Sequence, residues 1–265
     1  EHVLAEARQL ADSGVKELIV IAQDITRYGM DWDGKPHLAE LLEELCKLDF
    51  HWIRLHYLYP EWIDDRLIDV IAREDKILKY LDIPLQHCND KILKKMNRRG
   101  DKKYLCALLD KLRERIPGLV LRTSIIAGLP GEGEEEFDEL CDFLREQKLL
   151  RAGVFPYSPE EGTRAAKMER VDSDEAARRA ERIVDIQSEI IDAWNDERQG
   201  DVMEVLCEGF DGQSMLFVGR SYAESPDIDG RIYFSAPRDV TAGEFVPVRI
   251  TGAMDGELTG ELAEE

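Results

Sequence analysis

Short apolar runs recur along the first two-thirds of the chain, with amphipathic stretches between them. The runs are Glu17–Gln23, Trp52–Tyr59, Tyr80–Gln86, Val120–Ala127 and Ala152–Tyr157. They are rich in Val, Ile, Leu and aromatic residues, the pattern of strands covered on both faces. Between them, apolar positions return every three or four residues near Leu38–Leu48, Asp64–Arg73, Lys91–Asn97, Lys103–Arg115 and Glu134–Gln147. That period predicts amphipathic helices. Alternation at a spacing of about 30 residues predicts repeated βα units with right-handed connections and a parallel sheet. The expected fold class is α/β. Five strands fall short of the eight of a closed βα barrel, so the expectation is a partial, open, TIM-like barrel.

The pattern changes near Val171. Asp172 or Ser173 is placed to cap a long helix that runs to about Arg198 and ends before Gly200. Its expected buried stripe is Ala176, Ala180, Ile183, Val184, Ile190, Ile191 and Trp194. Beyond it, Met203–Cys207, Met215–Arg220, Gly230–Phe234 and Phe245–Thr251 are short β-like runs separated by Gly, Pro and Asp. Counting one more short strand beside these four, five in this space predict a small antiparallel β-barrel of OB-like size. The boundary is expected in 199–201, giving domains 1–198 and 199–265.

Charge narrows the partners. Lys and Arg number 35 against 56 Asp and Glu, a formal net charge of −21. A polyanion is therefore disfavoured as the main partner, because nucleic-acid affinity rests largely on cations that neutralise phosphates. The imbalance is greatest from Glu197 on, with 15 acidic residues against 5 Arg and no Lys. The stretch 91–103 runs the other way, with Lys91, Lys94, Lys95, Arg98, Arg99, Lys102 and Lys103. No apolar run approaches the ~18 residues of a membrane span. The chain starts at Glu1 in helix-like sequence, with no signal-peptide pattern, and is expected to be a later part of a longer protein. Its five cysteines, at 46, 88, 106, 141 and 207, are odd in number and widely spaced. They fit unpaired thiols in a reducing cytoplasm and no metal motif. Cys46, Cys106 and Cys141 read as small buried hydrophobes, while Cys88 lies in a polar turn.

Strand C-termini of parallel α/β folds open onto the ligand crevice. Here they are Gln23-Asp24, Leu58-Tyr59-Pro60, Gln86-His87, the segment 128–132, and Tyr157-Ser158-Pro159, all on one rim. Each has a plainer reading as a turn or strand stop, and Asp90 reads as the cap of the helix that follows. Gly128 and Gly131 permit positive φ or a close backbone approach. The acidic run Glu134–Glu136 suits a helix N-terminus, and no Gly-Lys-Ser/Thr follows, so this is no phosphate loop. Arg122 interrupts an apolar strand and needs a partner: a ligand carboxylate or a neighbouring acid such as Asp82. His56 and His87 lie at adjacent strand ends without a third metal ligand, and His56 reads as a hydrogen-bonding residue.

Five segments carry a resemblance: VKELIVIAQDITRYG (15–29), WIRLHYLYP (52–60), YLDIPLQHCNDKILKKMNRRG (80–100), LRTSIIAGLPGEGEEEFDEL (121–140) and VFPYSPEEGT (154–163). In order and spacing they resemble the methylthiotransferase family of radical S-adenosylmethionine enzymes. The last 65 or so residues resemble the TRAM domain that closes those enzymes. GRSYAESPDIDG (219–230) resembles the branch that modifies an aspartate of a small-subunit ribosomal protein more than the tRNA-modifying branch. The resemblance implies S-adenosylmethionine and two 4Fe–4S clusters as cofactors. The family's C-x-x-x-C-x-x-C and its auxiliary-cluster cysteines have no counterpart in this sequence, so the chain alone is expected to be inactive. The resemblance further implies that Gln23 and Asp24 hold the methionine amino group and Arg122 the methionine carboxylate. It places Gln86 and His87 toward the ribose or substrate, and Ile126, Gly128 and Phe155 around adenine. A basic ribosomal protein as partner, met by the acidic TRAM domain, agrees with the charge count. The competing readings are a tRNA methylthiotransferase and a non-catalytic binding module.

Overall fold

The computed structural model describes residues 2–263. The chain divides into one compact unit up to Gln187 and another from Ser188 on. In the first unit lie α1 (His2–Asp12), β1 (Glu17–Val20), α2 (Met30–Asp33), α3 (Leu38–Leu45), β2 (Trp52–Leu55) and α4 (Asp65–Arg73). There follow β3 (Ile77–Asp82), α5 (Asp90–Lys95), α6 (Lys102–Arg115), β4 (Val120–Ala127), α7 (Glu134–Gln147) and β5 (Arg151–Pro156). The long α8 (Ser173–Glu197) begins in this unit.

The strands pair in the order β1-β2-β3-β4-β5, every pair parallel. β2 is buried along its whole length and β3 at all but Lys79, as a parallel strand between covering layers should be. The helices bury the stripes their periodicity predicts. In α4 these are Leu67, Ile68, Val70 and Ile71, after Asp64 accepts the Leu67 N–H at 2.8 Å as N-cap. Each such buried aliphatic side chain stabilises the unit by roughly 1.5–3 kcal/mol.

Three strands stop well short of their apolar runs. β1 ends at Val20, short of Gln23, and β2 ends at Leu55, short of Tyr59. β3 runs Ile77–Asp82, and Gln86 rejoins the sheet only through a single bridge to Ile125. The backbone gives the reason. Tyr57 and Gln86 take φ of 60° and 67°, a left-handed conformation that breaks a strand. Asp24 closes a 3-10 turn over Ile25–Arg27 by accepting the Thr26 N–H at 3.0 Å.

α8 starts where Asp172 accepts the Glu175 N–H at 2.8 Å. Its expected stripe needs one correction. Val184 is exposed, while Arg179, Ile186 and Gln187 are buried. Gln187 donates to the Leu149 and Leu150 carbonyls at 3.0 and 2.6 Å; such satisfied polar groups can occupy an interior stripe.

In the second unit, β6 (Val202–Asp211), β7 (Leu216–Arg220), β8 (Ile232–Ser235), β9 (Phe245–Met254) and β10 (Glu257–Leu262) close a barrel in the order β10-β8-β7-β6-β9. All pairs are antiparallel except β10 with β8. Met203, Val205, Cys207, Ile232, Phe234, Val246, Val248 and Ile250 fill its core. Glu204 and Glu208 alternate outward on β6. Gly219 and Gly260 sit where a Cβ would stand 2.5 Å from a carbonyl oxygen on the next strand. The fold class read from sequence, a partial parallel barrel followed by a small β-barrel, is the fold observed.

Candidate functional site

The strand ends carry two buried charge clusters. The first crosses the sheet. Asp82, at the end of β3, accepts from Arg122 Nη1 on β4 at 3.1 Å, and its other oxygen lies 3.2 Å from His56 Nδ1 just beyond β2. Asp82 is fully buried. Glu17 on β1 accepts from Arg54 Nε on β2 at 2.7 Å, and the Arg54 guanidinium stacks over Tyr80. Such charges stay in an interior only when paired. Of the two partners open to Arg122, Asp82 is one that the structure supplies.

The second cluster surrounds Glu132, which is 2% exposed. Its Oε1 accepts from the Gly128 N–H at 2.9 Å and from Arg179 Nη1 at 2.8 Å. Its Oε2 lies 3.2 Å from His87 Nε2. Burial alone would raise this carboxyl; the contacts with His87 and Arg179 outweigh it and hold it below the usual range. His87 Nδ1 accepts the Asn89 N–H at 3.0 Å, which turns the other ring nitrogen toward Glu132. Arg179 also reaches the Glu132 and Gly133 carbonyls at 3.0 and 3.2 Å. The loop after β4 is thereby bolted to α8 and to the turn after β3.

These contacts relocate several expected site residues. His87 is buried against Glu132 instead of facing the open rim. Asp90 does not cap α5. Asn89 does, accepting the Lys91 and Ile92 N–H groups at 2.9 and 3.2 Å, while Asp90 takes the Lys102 N–H at 2.8 Å at the start of α6. Gly128 has φ +81°, and a Cβ there would stand 2.5 Å from the Ala176 Cβ, so helix packing already demands the glycine. Gln23 is exposed. Asp24 Oδ2 is buried with no hydrogen-bond partner. Gln86 is half-buried, its N–H donating to the Ser124 carbonyl at 2.7 Å and its carbonyl accepting from Ile126 at 3.0 Å. Ile126 and Phe155 are register partners across β4 and β5, and Phe155 is 54% exposed. Gln86, Ile126 and Phe155 thus meet at one end of the sheet.

Sequence reading missed Glu132 and Arg179 as organisers. The Glu175–Arg179 spacing of four residues was visible, and that ion pair forms at 2.9 Å. Nothing local pointed from Arg179 to a carboxylate 47 residues away.

Residues 1–144 match the radical SAM superfamily, and residues 200–263 match the TRAM domain. The chain belongs to the radical SAM superfamily. It is similar to the ribosomal protein uS12 methylthiotransferase RimO of Symbiobacterium thermophilum, at 47% identity over 268 residues, covering 100% of this chain and 55% of that protein. It is likewise similar to the proteins so named from Pelotomaculum thermopropionicum, at 48% identity covering 98% of this chain and 60% of that one, and from Myxococcus xanthus, at 47% covering 100% and 56%. The chain thus spans little more than half the length of these relatives. Among solved structures, Escherichia coli coproporphyrinogen III oxidase (HemN), a radical SAM enzyme, aligns with a TM-score of 0.48 at 20% identity, over 58% of this chain and 36% of that one.

For this radical SAM chain the groups its family uses can be tested against the residues present. Asp24 Oδ2, a buried acceptor lacking a partner, fits an ammonium such as that of S-adenosylmethionine. An iron–sulfur cluster does not fit the thiols. Among the described residues no group of three or more His, Cys, Asp or Glu could hold a metal. Burial pushes the Cys46 thiol up to about 11 and the Cys88 thiol further still, the opposite of what a thiolate ligand needs.

Proposed function

We propose that this chain supplies the S-adenosylmethionine-binding rim and the closing TRAM barrel of a methylthiotransferase. Its substrate is the β-carbon of an aspartate in the basic small-subunit ribosomal protein uS12. The observation that carries this reading is the similarity to uS12 methylthiotransferases across all of this chain, at 47% identity. The domain boundary is assigned to 199–201, and the work to the cytoplasm, where ribosomes are made.

Asp24 Oδ2, with Gln23 beside it, receives the methionine ammonium. Arg122, oriented by Asp82, meets the methionine carboxylate. Gln86 faces the ribose, and Ile126 and Phe155 flank adenine, with the Gly128 turn closing that end. His87 acts from behind the rim, fixing the turn through Glu132. When bound, S-adenosylmethionine supplies radical hydrogen abstraction and a methyl group; the protein's residues orient it and exclude water. No step is assigned to a cluster, since the described residues hold no ligand set for one.

The acidic second unit recruits the basic substrate protein by charge complementarity. Glu204, Glu208, Asp227 and Asp239 are exposed or half-buried on it. Within 219–230, by contrast, Glu224 is buried, accepting from Ser221 N and Oγ at 2.9 and 2.6 Å. That part of the motif holds its own loop together. The test is a binding titration of the chain with purified uS12 and, separately, with tRNA at about 150 mM salt. Salt-sensitive binding of uS12 that weakens in an E204Q/D227N/D239N variant is expected. Tighter retention of tRNA than of uS12 overturns the substrate assignment.

A further inference from the structure

We infer that the first unit carries a second ligand site, for a phosphate-bearing molecule of about nucleotide size, in a cavity that shares the loop after β4 with the rim but is lined by none of the residues assigned to S-adenosylmethionine above. The inference does not depend on the proposed function. The cavity has a volume of about 650 Å³ and is walled by the loop after β4 (Pro130, Gly131), the last residue of α5 (Lys95) and the segment 164–171. That volume lies within the range of small-molecule sites, about 300–1,000 Å³.

Three cations from two segments line this cavity: Lys95 at the end of α5, and Arg164 and Arg170 from 164–171. Many other cations of this acidic chain sit against carboxylates, though Lys76, Lys79 and Arg98 bond to backbone carbonyls instead. Lys91 pairs with Glu136, Lys102 with Glu139, Arg66 with Glu40 and Arg179 with Glu132. Among the described residues, none of the three cavity cations has a carboxylate within 4.0 Å. Glu132, also in the wall, is already neutralised by Arg179, and Glu169 is the other acid there. The three side chains are exposed and their mutual repulsion is screened, but together they leave the cavity net positive toward an incoming anion.

The cavity is also built. Gly131 has φ +84°, and a Cβ there would collide with Lys95 Nζ. With glycine there, that ammonium lies across the loop where a side chain would push it aside. The Gly131 N–H donates to the Glu169 carbonyl at 3.1 Å, which ties two of the walls together. Arg170 Nη1 is steadied by the Ala166 carbonyl at 3.1 Å, leaving the rest of its fork for a ligand. Guanidinium forks match phosphate oxygens two at a time, and a lysine adds a point charge. Pro130, Met168 and Val171 supply apolar wall for the body of the ligand. The shared chemistry is a nucleotide phosphate, from a free nucleotide or from an RNA strand.

The test is calorimetric titration of the 265-residue chain with UMP and with a ten-residue oligouridylate at constant salt. UMP lacks adenine and so does not report on the adenine-binding end of the rim. Saturable binding is expected, weakened about tenfold or more by K95A and by R164A and unchanged by K47A, which removes an exposed lysine elsewhere. Circular dichroism confirms that the variants fold. Excess S-adenosylmethionine, which carries no phosphate, is expected to leave UMP binding unchanged. Oligouridylate binding much tighter than UMP identifies an RNA strand as the source, and equal binding a free nucleotide. Absence of saturable binding by either probe, identical affinity in the K95A and R164A variants, or displacement by S-adenosylmethionine overturns the inference.

Discussion

Gly128→Ala separates what packing demands at the rim from what a cofactor would demand. The residue has φ +81°, and its added Cβ would meet Ala176 Cβ at 2.5 Å, Ala176 Cα at 3.2 Å and Val171 Cγ2 at 3.2 Å. The left-handed backbone costs an alanine about 1–2 kcal/mol. Forcing a methyl into a filled site adds about 1–3 kcal/mol. Lost freedom in the unfolded chain offsets about 0.4–1 kcal/mol of this. Gly34→Ala is the matched control: φ is again +81°, but a Cβ there meets nothing within 4 Å. It therefore carries the backbone cost alone, and the unfolded-state offset is common to both. The difference between the two variants should be the steric part, about 1–3 kcal/mol. Urea unfolding followed by far-UV circular dichroism measures it, provided the slope with denaturant is unchanged. A G128A/A176G double variant should show coupling of about 0.5–3 kcal/mol, recovering only part of the loss because the backbone of residue 176 still crowds the new methyl. Equal costs for Gly128→Ala and Gly34→Ala would refute the packing argument and return Gly128 to a purely ligand-facing role.

Other outcomes follow from the same geometry. Glu132→Ala leaves Arg179 buried without that carboxylate and should destabilise the first unit by about 3–5 kcal/mol, read as a lowered urea midpoint; a surface-like cost below about 1 kcal/mol would contradict the bolting role. Because Glu132 is held below the ordinary carboxylate range, its contribution is fully present above about pH 4.3. It should disappear as pH falls through the lower folded value, so wild type, but not Glu132→Gln, should lose that increment in acid unfolding. Asn89→Ala should cost about 1 kcal/mol as a lost cap, and retention of full α5 protection in hydrogen exchange would count against it. Cys88 is buried and its thiol pushed up, so a thiol reagent should leave it unmodified in the native chain and label it in urea. After anaerobic iron–sulfur reconstitution, the chain by itself should form no 5′-deoxyadenosine, and robust product would show that the thiols assemble a cluster after all.

The sequence by itself determined the elements and their class. Apolar runs alternating with helical stripes fix parallel βα units, and β4 and α7 fall on the residues their patterns mark. Asp172 caps α8 as its position predicts, because a cap involves only residues two or three apart. The rim was legible for the same reason: strand order follows from connection rules, so strand ends share a side. Tertiary structure decided which polar side chains face outward. His87 was expected to face the ribose or substrate, but a glutamate 45 positions along the chain draws it inward. Arg122 had two open partners until β3 and β4 paired in register and set Asp82 beside it. Gly128 read as a ligand-facing glycine until α8 brought Ala176 against it. Lys95, Arg164 and Arg170 were scattered charges until the end of α5 and the segment 164–171 came together around one cavity. Local patterns encode hydrogen bonds and periodicity within a few residues, whereas pairing across long separations depends on a register and a helix placement that only the folded chain sets.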